Sequence, residues 1–403
     1  MNQPPLVRSP INILPQPLAS PRPPLSLYIH IPWCVRKCPY CDFNSHNAPQ
    51  NLPQRDYVDA LLRDLDQDLP LARGRPLVSI FFGGGTPSLF APENIARILD
   101  GVAARLDFSP DIEITLETNP GTIEHGSFDG YRRAGVNRIS FGVQSFDNDA
   151  LKRIGRIHDA AQAERAVKQA QDAGIGNLNL DLMYALPQQT LAGALHDVEK
   201  AIMLQTTHLS HYQLTLEPNT QFAANPPPLP DEDSAWDMQE ACQARIAEAG
   251  FAHYEVSAYA RPGRECAHNL NYWQFGDYLG IGAGAHAKLT GGFGPEGAQV
   301  RRRWKLRAPR GYLEHAGTAR GIGGDDAIAS EQLAFEFMLN ALRLSDGIPL
   351  ADFSATTGLA RESVQPRLDA ARERGWLRID DDRLQPTESG HRFLNDLIAL
   401  FLP

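Results

Sequence analysis

From Ser26 onward, short apolar runs of strand length alternate with longer stretches in which apolar residues return every three or four positions. Residues 27–31 open the series, and 78–82, 112–117, 138–143, 178–186 and 209–216 continue it as strands. Between them, 56–71, 94–106, 160–173 and 191–204 read as amphipathic helices. Six such units predict an α/β fold with a parallel sheet. Right-handed crossovers would curl that sheet into an open or partial (β/α)6 barrel, with functional residues at the C-terminal strand ends.

The pattern stops at both ends of this series. Residues 1–24 carry eight prolines, among them Pro4, Pro5, Pro23 and Pro24, and read as a flexible tail. After Glu217 the run 225–230 breaks the alternation, which resumes as a helix at 234–249 and a strand at 254–259. The glycine-rich stretches 280–284 and 291–297 read as loops. From Glu331 the order is three helices, a short strand pair (376–379 and 383–386) and a last helix, as in a winged-helix module. The expected organisation is a tail (1–24), a barrel (25–220), a cap or insertion (221–325) and a winged-helix-like domain (326–403). Helices expected near 350–356 and 362–374 are mixed in charge, which favours packing or partner contact over DNA binding.

Composition narrows the function. A chain of 403 residues suits two or three structural units. Its apolar runs fall short of the roughly 20 residues of a membrane span, and no secretory leader is legible, so a soluble cytoplasmic protein is expected. The formal charge of -10 argues against coating nucleic acid. Five cysteines are too few for a disulfide scaffold, and three of them fall within eight residues, which points to metal or redox chemistry.

Those three are Cys34, Cys38 and Cys41, on one loop directly after the first strand. The arrangement suits three corners of a 4Fe-4S cubane with the fourth iron open. On spacing alone, a closed zinc site completed by His46 or His30 stays open as well. Gly83-Gly84-Gly85-Thr86-Pro87 after the second strand reads as a close backbone approach to a ligand or as a tight turn. Glu117 closes the third strand, where a carboxylate could accept from ribose hydroxyls or simply face solvent. The strand containing Asn177, Asn179 and Asp181 carries its polar residues on one face, which suits a barrel interior. Gln144 ends the fourth strand, and Arg156 follows it as a second ligand candidate or a surface residue. Arg301-Arg302-Arg303-Trp304-Lys305 reads as a solvated basic loop, with carboxylate recognition as the alternative.

The CxxxCxxC motif, with Tyr40 before its last cysteine and GGGTP after the second strand, resembles the radical S-adenosylmethionine superfamily. That resemblance implies a 4Fe-4S cluster on Cys34, Cys38 and Cys41. It also implies S-adenosylmethionine held by Tyr28, Tyr40, Gly84, Gly85 and Thr86, together with Glu117, Gln144, Arg156 and Asp181. In that superfamily the cofactor does the hard step, cleaving a C–S bond to give a 5'-deoxyadenosyl radical.

With Tyr28-Ile-His-Ile-Pro-Trp-Cys34, 141–146 and the winged tail, the chain resembles the oxygen-independent coproporphyrinogen III oxidase family after Leu25. The oxidases of that family carry a further cysteine two positions after the third, where this chain has Phe43, which counts against oxidase activity. Its heme chaperone branch carries HNxxYW, matched by His268 to Trp273. The branch implies heme contact at His268, an unidentified heme-acceptor protein, soluble or membrane-associated, and an electron donor. Taken bare, a histidine beside asparagine and aromatics is more often a hydrogen-bonded structural element. Cys266 is a minor heme candidate, and no catalytic residue is assigned. Two rivals are oxidative decarboxylation of coproporphyrinogen and a zinc-bound winged-helix regulator, which would bind DNA in a salt-sensitive way.

Overall fold

The computed structural model describes residues 22–121, 128–294 and 297–403, so most of the proline-rich tail lies outside the described residues. The chain begins with β1 (Leu25–Ile31), two short strands β2 (Trp33–Cys34) and β3 (His46–Asn47), and helix α1 (Gln54–Ala72). Next come β4 (Leu77–Gly84), α2 (Pro92–Ala103), β5 (Phe108–Thr118), α3 (Phe128–Ala134), β6 (Arg138–Gln144), α4 (Asn148–Arg153) and α5 (Ala160–Asp172). The series closes with β7 (Asn177–Tyr184), α6 (Leu191–Met203) and β8 (His208–Gln213). β1, β4, β5, β6, β7 and β8 lie side by side in that order, each parallel to the next, which makes the expected six-unit parallel array.

Strand alternation explains the layering. In β1, Leu25, Leu27, Ile29 and Ile31 are fully buried in a core shared with Tyr57, Val58, Leu61 and Leu65 of α1. The opposite face is polar yet also enclosed. Ser26 Oγ meets Ser79 Oγ at 2.7 Å, Asn179 Nδ2 donates to Ser140 Oγ at 2.8 Å, and His208 Nδ1 meets Asn179 Oδ1 at 2.6 Å. Two buried faces of different chemistry define a helix-covered outside and a polar lumen.

Residues 221–325 extend both edges of this sheet. They form α7 (Gln221–Ala224), α8 (Glu232–Glu248), β9 (Ala252–Glu255), β10 (Ala258–Ala260), α9 (Ala267–Trp273), β11 (Asp277–Ile281), β12 (His286–Gly294), β13 (Gly297–Lys305), α10 (Pro309–His315) and β14 (Ile322–Ala327). β10 and β9 continue the sheet beyond β8, while β11 pairs parallel to β1 and β12, β13 and β14 follow antiparallel. The strand expected at 254–259 is a hairpin, turned at Val256 and Ser257, where Ser257 N donates to Glu255 Oε1 at 3.3 Å and His253 Nε2 to Val256 O at 3.2 Å.

Of the glycine stretches expected as loops, 282–284 turn as expected, whereas 280–281 and 291–294 are strand. A Cβ on Gly280 would stand 1.9 Å from the His286 carbonyl oxygen, so glycine serves the close approach of β11 and β12 there. The expected basic loop lies in β13, and its charges are paired. Arg301 and Arg303 reach Asp325 at 2.9 and 2.6 Å, Arg302 meets Glu336, and Lys305 joins Asp64 and, at 2.7 Å, Asp68 of α1.

The C-terminal unit comprises α11 (Ser330–Ala341), β15 (Ile348–Pro349), α12 (Leu350–Thr357), α13 (Gln365–Glu373), β16 (Leu377–Asp380), β17 (Arg383–Pro386), α14 (Glu388–Arg392) and α15 (Leu394–Ala399). Its strands pair in the order β15-β17-β16 over a core that includes Leu333, Phe337, Phe353, Leu368 and Leu384. Among the described residues, no helix is long and apolar enough to cross a membrane.

Candidate functional site

The C-terminal ends of the parallel strands open onto a pocket of about 410 Å3. Cys34, Cys38 and Cys41 line it, and so do Tyr40, Gly84, Gly85, Thr86, Glu117, Gln144, Arg156 and Asp181. Thus every residue singled out for S-adenosylmethionine except Tyr28 meets the cysteine loop in one cavity. Tyr28 lines an adjoining cavity.

The loop is anchored at both ends and leaves its thiols partly exposed. β2 pairs with β3 across the loop, Ala48 N donates to Cys34 O at 2.8 Å, and Phe222 N holds Pro39 O at 3.0 Å. Burial raises the Cys34 and Cys41 thiols above their ordinary values, partly offset by hydrogen bonds from Thr86 and Ser45 respectively. Arg156 Nη1 donates to Cys38 Sγ at 3.5 Å, and its Nη2 binds the Gly142 carbonyl.

A closed zinc site lacks its fourth ligand. His30 Nε2 donates to the Asn44 carbonyl at 2.9 Å, which leaves Nδ1 to accept from Tyr28 OH at 2.9 Å, so both ring nitrogens are engaged. His46 Nε2 meets Asn44 Oδ1 at 3.3 Å. Among the described residues, no three His, Cys, Asp or Glu side chains converge where one metal ion would sit. Three half-exposed thiols facing a pocket fit the separate corners of a cluster better than one tetrahedral ion.

Gly85 sits flush against the strand that presents Cys34. Its N–H donates to Ile31 O at 2.8 Å, and a Cβ there would lie 2.5 Å from the Trp33 carbonyl oxygen. Gly85→Ala is expected to displace β2, lower iron loading of the reconstituted chain and cost about 1–3 kcal/mol of stability, read from iron content and a urea midpoint.

Glu117 and Asp181 face each other across the lumen. Burial, then the nearby Asp181 carboxylate, raises Glu117 from 4.5 to about 8, although Gly84 N donates to its Oε2 at 3.3 Å. Asp181 is also raised by burial, against hydrogen bonds led by Asn179 Nδ2 at 2.8 Å. At neutral pH Glu117 therefore carries a proton and can donate as well as accept. The unfolded chain releases that proton near pH 4.5 and the folded chain holds it to about pH 8, so the stability it contributes is lost as pH rises across this window. Glu117→Gln is expected to flatten the slope by up to about 1.4 kcal/mol per pH unit, measured by urea unfolding of the ligand-free chain at pH 5 and pH 8.

Gln144 is held at φ 70°, a left-handed conformation uncommon for a side chain of this size, and accepts from Tyr212 OH at 3.0 Å. Tyr212 and Met183 also line the pocket, and sequence reasoning missed both. The alternation His208, Ser210, Tyr212 along β8 is the same inner-face signal that marked Asp181 on β7. Arg156 Nε is buried without a hydrogen-bond partner, a donor available to a ligand.

His268 lies elsewhere, at the lumen floor on α9. Its Nδ1 meets Ser79 Oγ at 3.0 Å, its ring stacks on Phe81 at 4.9 Å, and it is 3% exposed. Burial, then Arg138, lowers it to about 3. A macrocycle has no approach to this ring in the present conformation. Cys266 is buried beside it, donating to Glu113 Oε1 at 3.4 Å, and Glu113 Oε1 and Oε2 accept from the N-terminal amides of α9 at 3.2 Å each.

Comparison with known proteins accounts for this arrangement. Residues 28–201 match the radical SAM superfamily, and residues 328–393 match the HemN C-terminal domain. Heme chaperone HemW of Escherichia coli (strain K12) is 51% identical over 380 residues, spanning 94% of this chain and 98% of that protein. The chain belongs to the HemW family. HemW of Haemophilus influenzae is 49% identical and that of Bacillus subtilis 32%, each across 94% of this chain and at least 98% of the relative. Coproporphyrinogen III oxidase (HemN) of Escherichia coli, a radical SAM enzyme, superposes with a TM-score of 0.78 over 94% of this chain and 90% of its own. At 22% identity that likeness speaks for a shared radical-SAM fold alone.

Proposed function

We propose that this chain binds heme and passes it to an acceptor protein, with a 4Fe-4S cluster on Cys34, Cys38 and Cys41 and S-adenosylmethionine in the adjoining pocket. The observation that carries the reading is the convergence of three partly exposed thiols with Gly84, Glu117, Gln144 and Asp181 in one cavity, on a chain half identical to a protein named as a heme chaperone. When bound, the cluster and S-adenosylmethionine supply one-electron chemistry.

The protein residues bind and orient. Arg156 holds Cys38 Sγ through its Nη1, and the glycine turn lets backbone amides approach the amino-acid end of a ligand. Glu117 and Asp181 face its ribose, and Tyr40, packed 6.4 Å from Phe222, closes the pocket wall. Phe43, which stands where oxidases of the wider family carry a cysteine, is 61% exposed at the pocket rim, an apolar surface for a large planar cargo. The acceptor and the electron donor meet this open side in the same reading.

The test is anaerobic purification with iron and sulfide analysis, followed by titration with heme and transfer to an apo-hemoprotein. About four irons per chain, saturable heme binding and transfer support the reading. Cluster loading without heme binding, or turnover of coproporphyrinogen III with reductant and S-adenosylmethionine, overturns it.

A further inference from the structure

A second cavity, of about 520 Å3, opens beside the cysteine pocket and shares Phe43, Gly84 and Glu117 with it. Its volume falls within the roughly 300–1,000 Å3 of small-molecule sites. One wall is aromatic, built from Tyr272 and Tyr278 with ring centroids 4.2 Å apart. Tyr272 is the tyrosine of the HNxxYW motif, and its ring stands edge-on to His268 at 4.9 Å. The motif therefore reaches this cavity through Tyr272, with His268 as the support beneath it.

Four imidazoles stand near this cavity; His46 Nε2 meets Asn44 Oδ1 at 3.3 Å, and the partners of the other three separate them. His30 has both ring nitrogens engaged, and His268 is buried against Ser79 and Phe81. His286, at the start of β12, is exposed to the cavity and has no hydrogen-bond partner among the described residues. Partial desolvation, with Arg302 and Arg307 nearby, lowers it and keeps it neutral, the form in which an imidazole binds a metal. Arg302 is tied to Glu336 and Tyr278, whereas Arg307 is exposed and has no ion-pair partner among the described residues.

An aromatic wall, a free neutral imidazole and an unpaired guanidinium suit one ligand chemistry, a planar metal-bearing macrocycle with carboxylate arms. Resting on the heme chaperone reading, we propose that heme sits in this second cavity with His286 as its axial ligand, Arg307 pairing a propionate and Tyr272 against the macrocycle. The cargo then lies beside the S-adenosylmethionine pocket with Phe43 between them.

Ferric heme is titrated anaerobically into the cluster-loaded full chain, its His286→Ala variant and its His268→Ala variant, followed by absorbance and electron paramagnetic resonance. His286→Ala is expected to weaken binding by about tenfold or more and to lose the imidazole-ligated signature, with free imidazole restoring it. His268→Ala is expected to lower affinity while keeping that signature, since it undermines Tyr272 without removing the ligand. Arg307→Gln is expected to weaken binding with no change in ligation. Parent-like ligation in His286→Ala, or loss of ligation in His268→Ala alone, overturns the assignment and leaves the chaperone reading standing. Displacement of a second equivalent of S-adenosylmethionine from this cavity, with heme binding untouched by all three variants, also overturns it. No heme binding by the parent overturns both.

Discussion

Cys38→Ser is expected to abolish cluster assembly, with iron and sulfide falling from about four each per chain to near zero under anaerobic reconstitution. Three thiols face the pocket, and the hydroxyls beside them, Thr86 at Cys34 and Ser45 at 3.7 Å from Cys41 Sγ, are hard oxygen donors, so no spare soft ligand replaces the lost one. The substitution also replaces the sulfur that Arg156 addresses by a hydroxyl that can still accept, so the guanidinium keeps an acceptor there and the Gly142 carbonyl. The apo fold is expected to survive, because Cys38 is partly exposed on a loop whose anchors are backbone hydrogen bonds. A urea midpoint within about 1 kcal/mol of the parent, alongside the lost iron, would separate ligand loss from unfolding. Parent-level iron in this variant would refute the three-thiol assignment.

Lys305→Met is expected to cost the most stability of the substitutions considered, about 3–5 kcal/mol. Lys305 is 1% exposed and bridges Asp64 and Asp68 of α1, which are equally buried, so it pins the β13 edge of the sheet onto the barrel's first helix. Methionine fills the same volume but leaves buried Asp64 without a cation, beside Asp68, which keeps Arg303 alone. Asp64, already raised by burial and held down chiefly by Lys305, then rises further. Urea unfolding is the measurement. Lys305→Met combined with Asp64→Asn is expected to recover part of the loss, since it removes the charge left without a cation, whereas Asp68 keeps Arg303 at 2.7 Å. An unchanged midpoint in the single variant would mean that the pair contributes nothing net.

The barrel and most of its pocket were legible because they obey short-range rules. Period-two alternation marked the strands, and the polar face of β7 already implied an enclosed lumen before any coordinate. Glycines marked the turn at 282–284 but misled at 280–281 and 291–294, because the same residue serves turns and close strand approach, and only the neighbour across the gap, His286 at Gly280, tells them apart. The hairpin at Val256 escaped because its turn carries neither glycine nor proline. The charges of β13 looked like a solvated run because their partners, Asp64, Asp68, Asp325 and Glu336, lie on three other elements. His268 and His286 are both histidines next to small or polar residues, and sequence spacing cannot say which of them a fold will bury.

The parallel pairing of β11 with β1 also sets a timetable for synthesis. Asn44, just past the cysteine loop, donates to the carbonyls of Ala283 and Arg307, residues 239 and 263 positions further along the chain. At about 5–20 residues per second, the ribosome needs roughly 12–50 s after making the thiols to produce the strand that seats them. Throughout that interval one side of β1 has no neighbour, and the three cysteines ride on a loop that lacks its seam. Iron and sulfide delivered before Arg307 is made would meet an unfinished socket, so the topology favours cluster loading after that point.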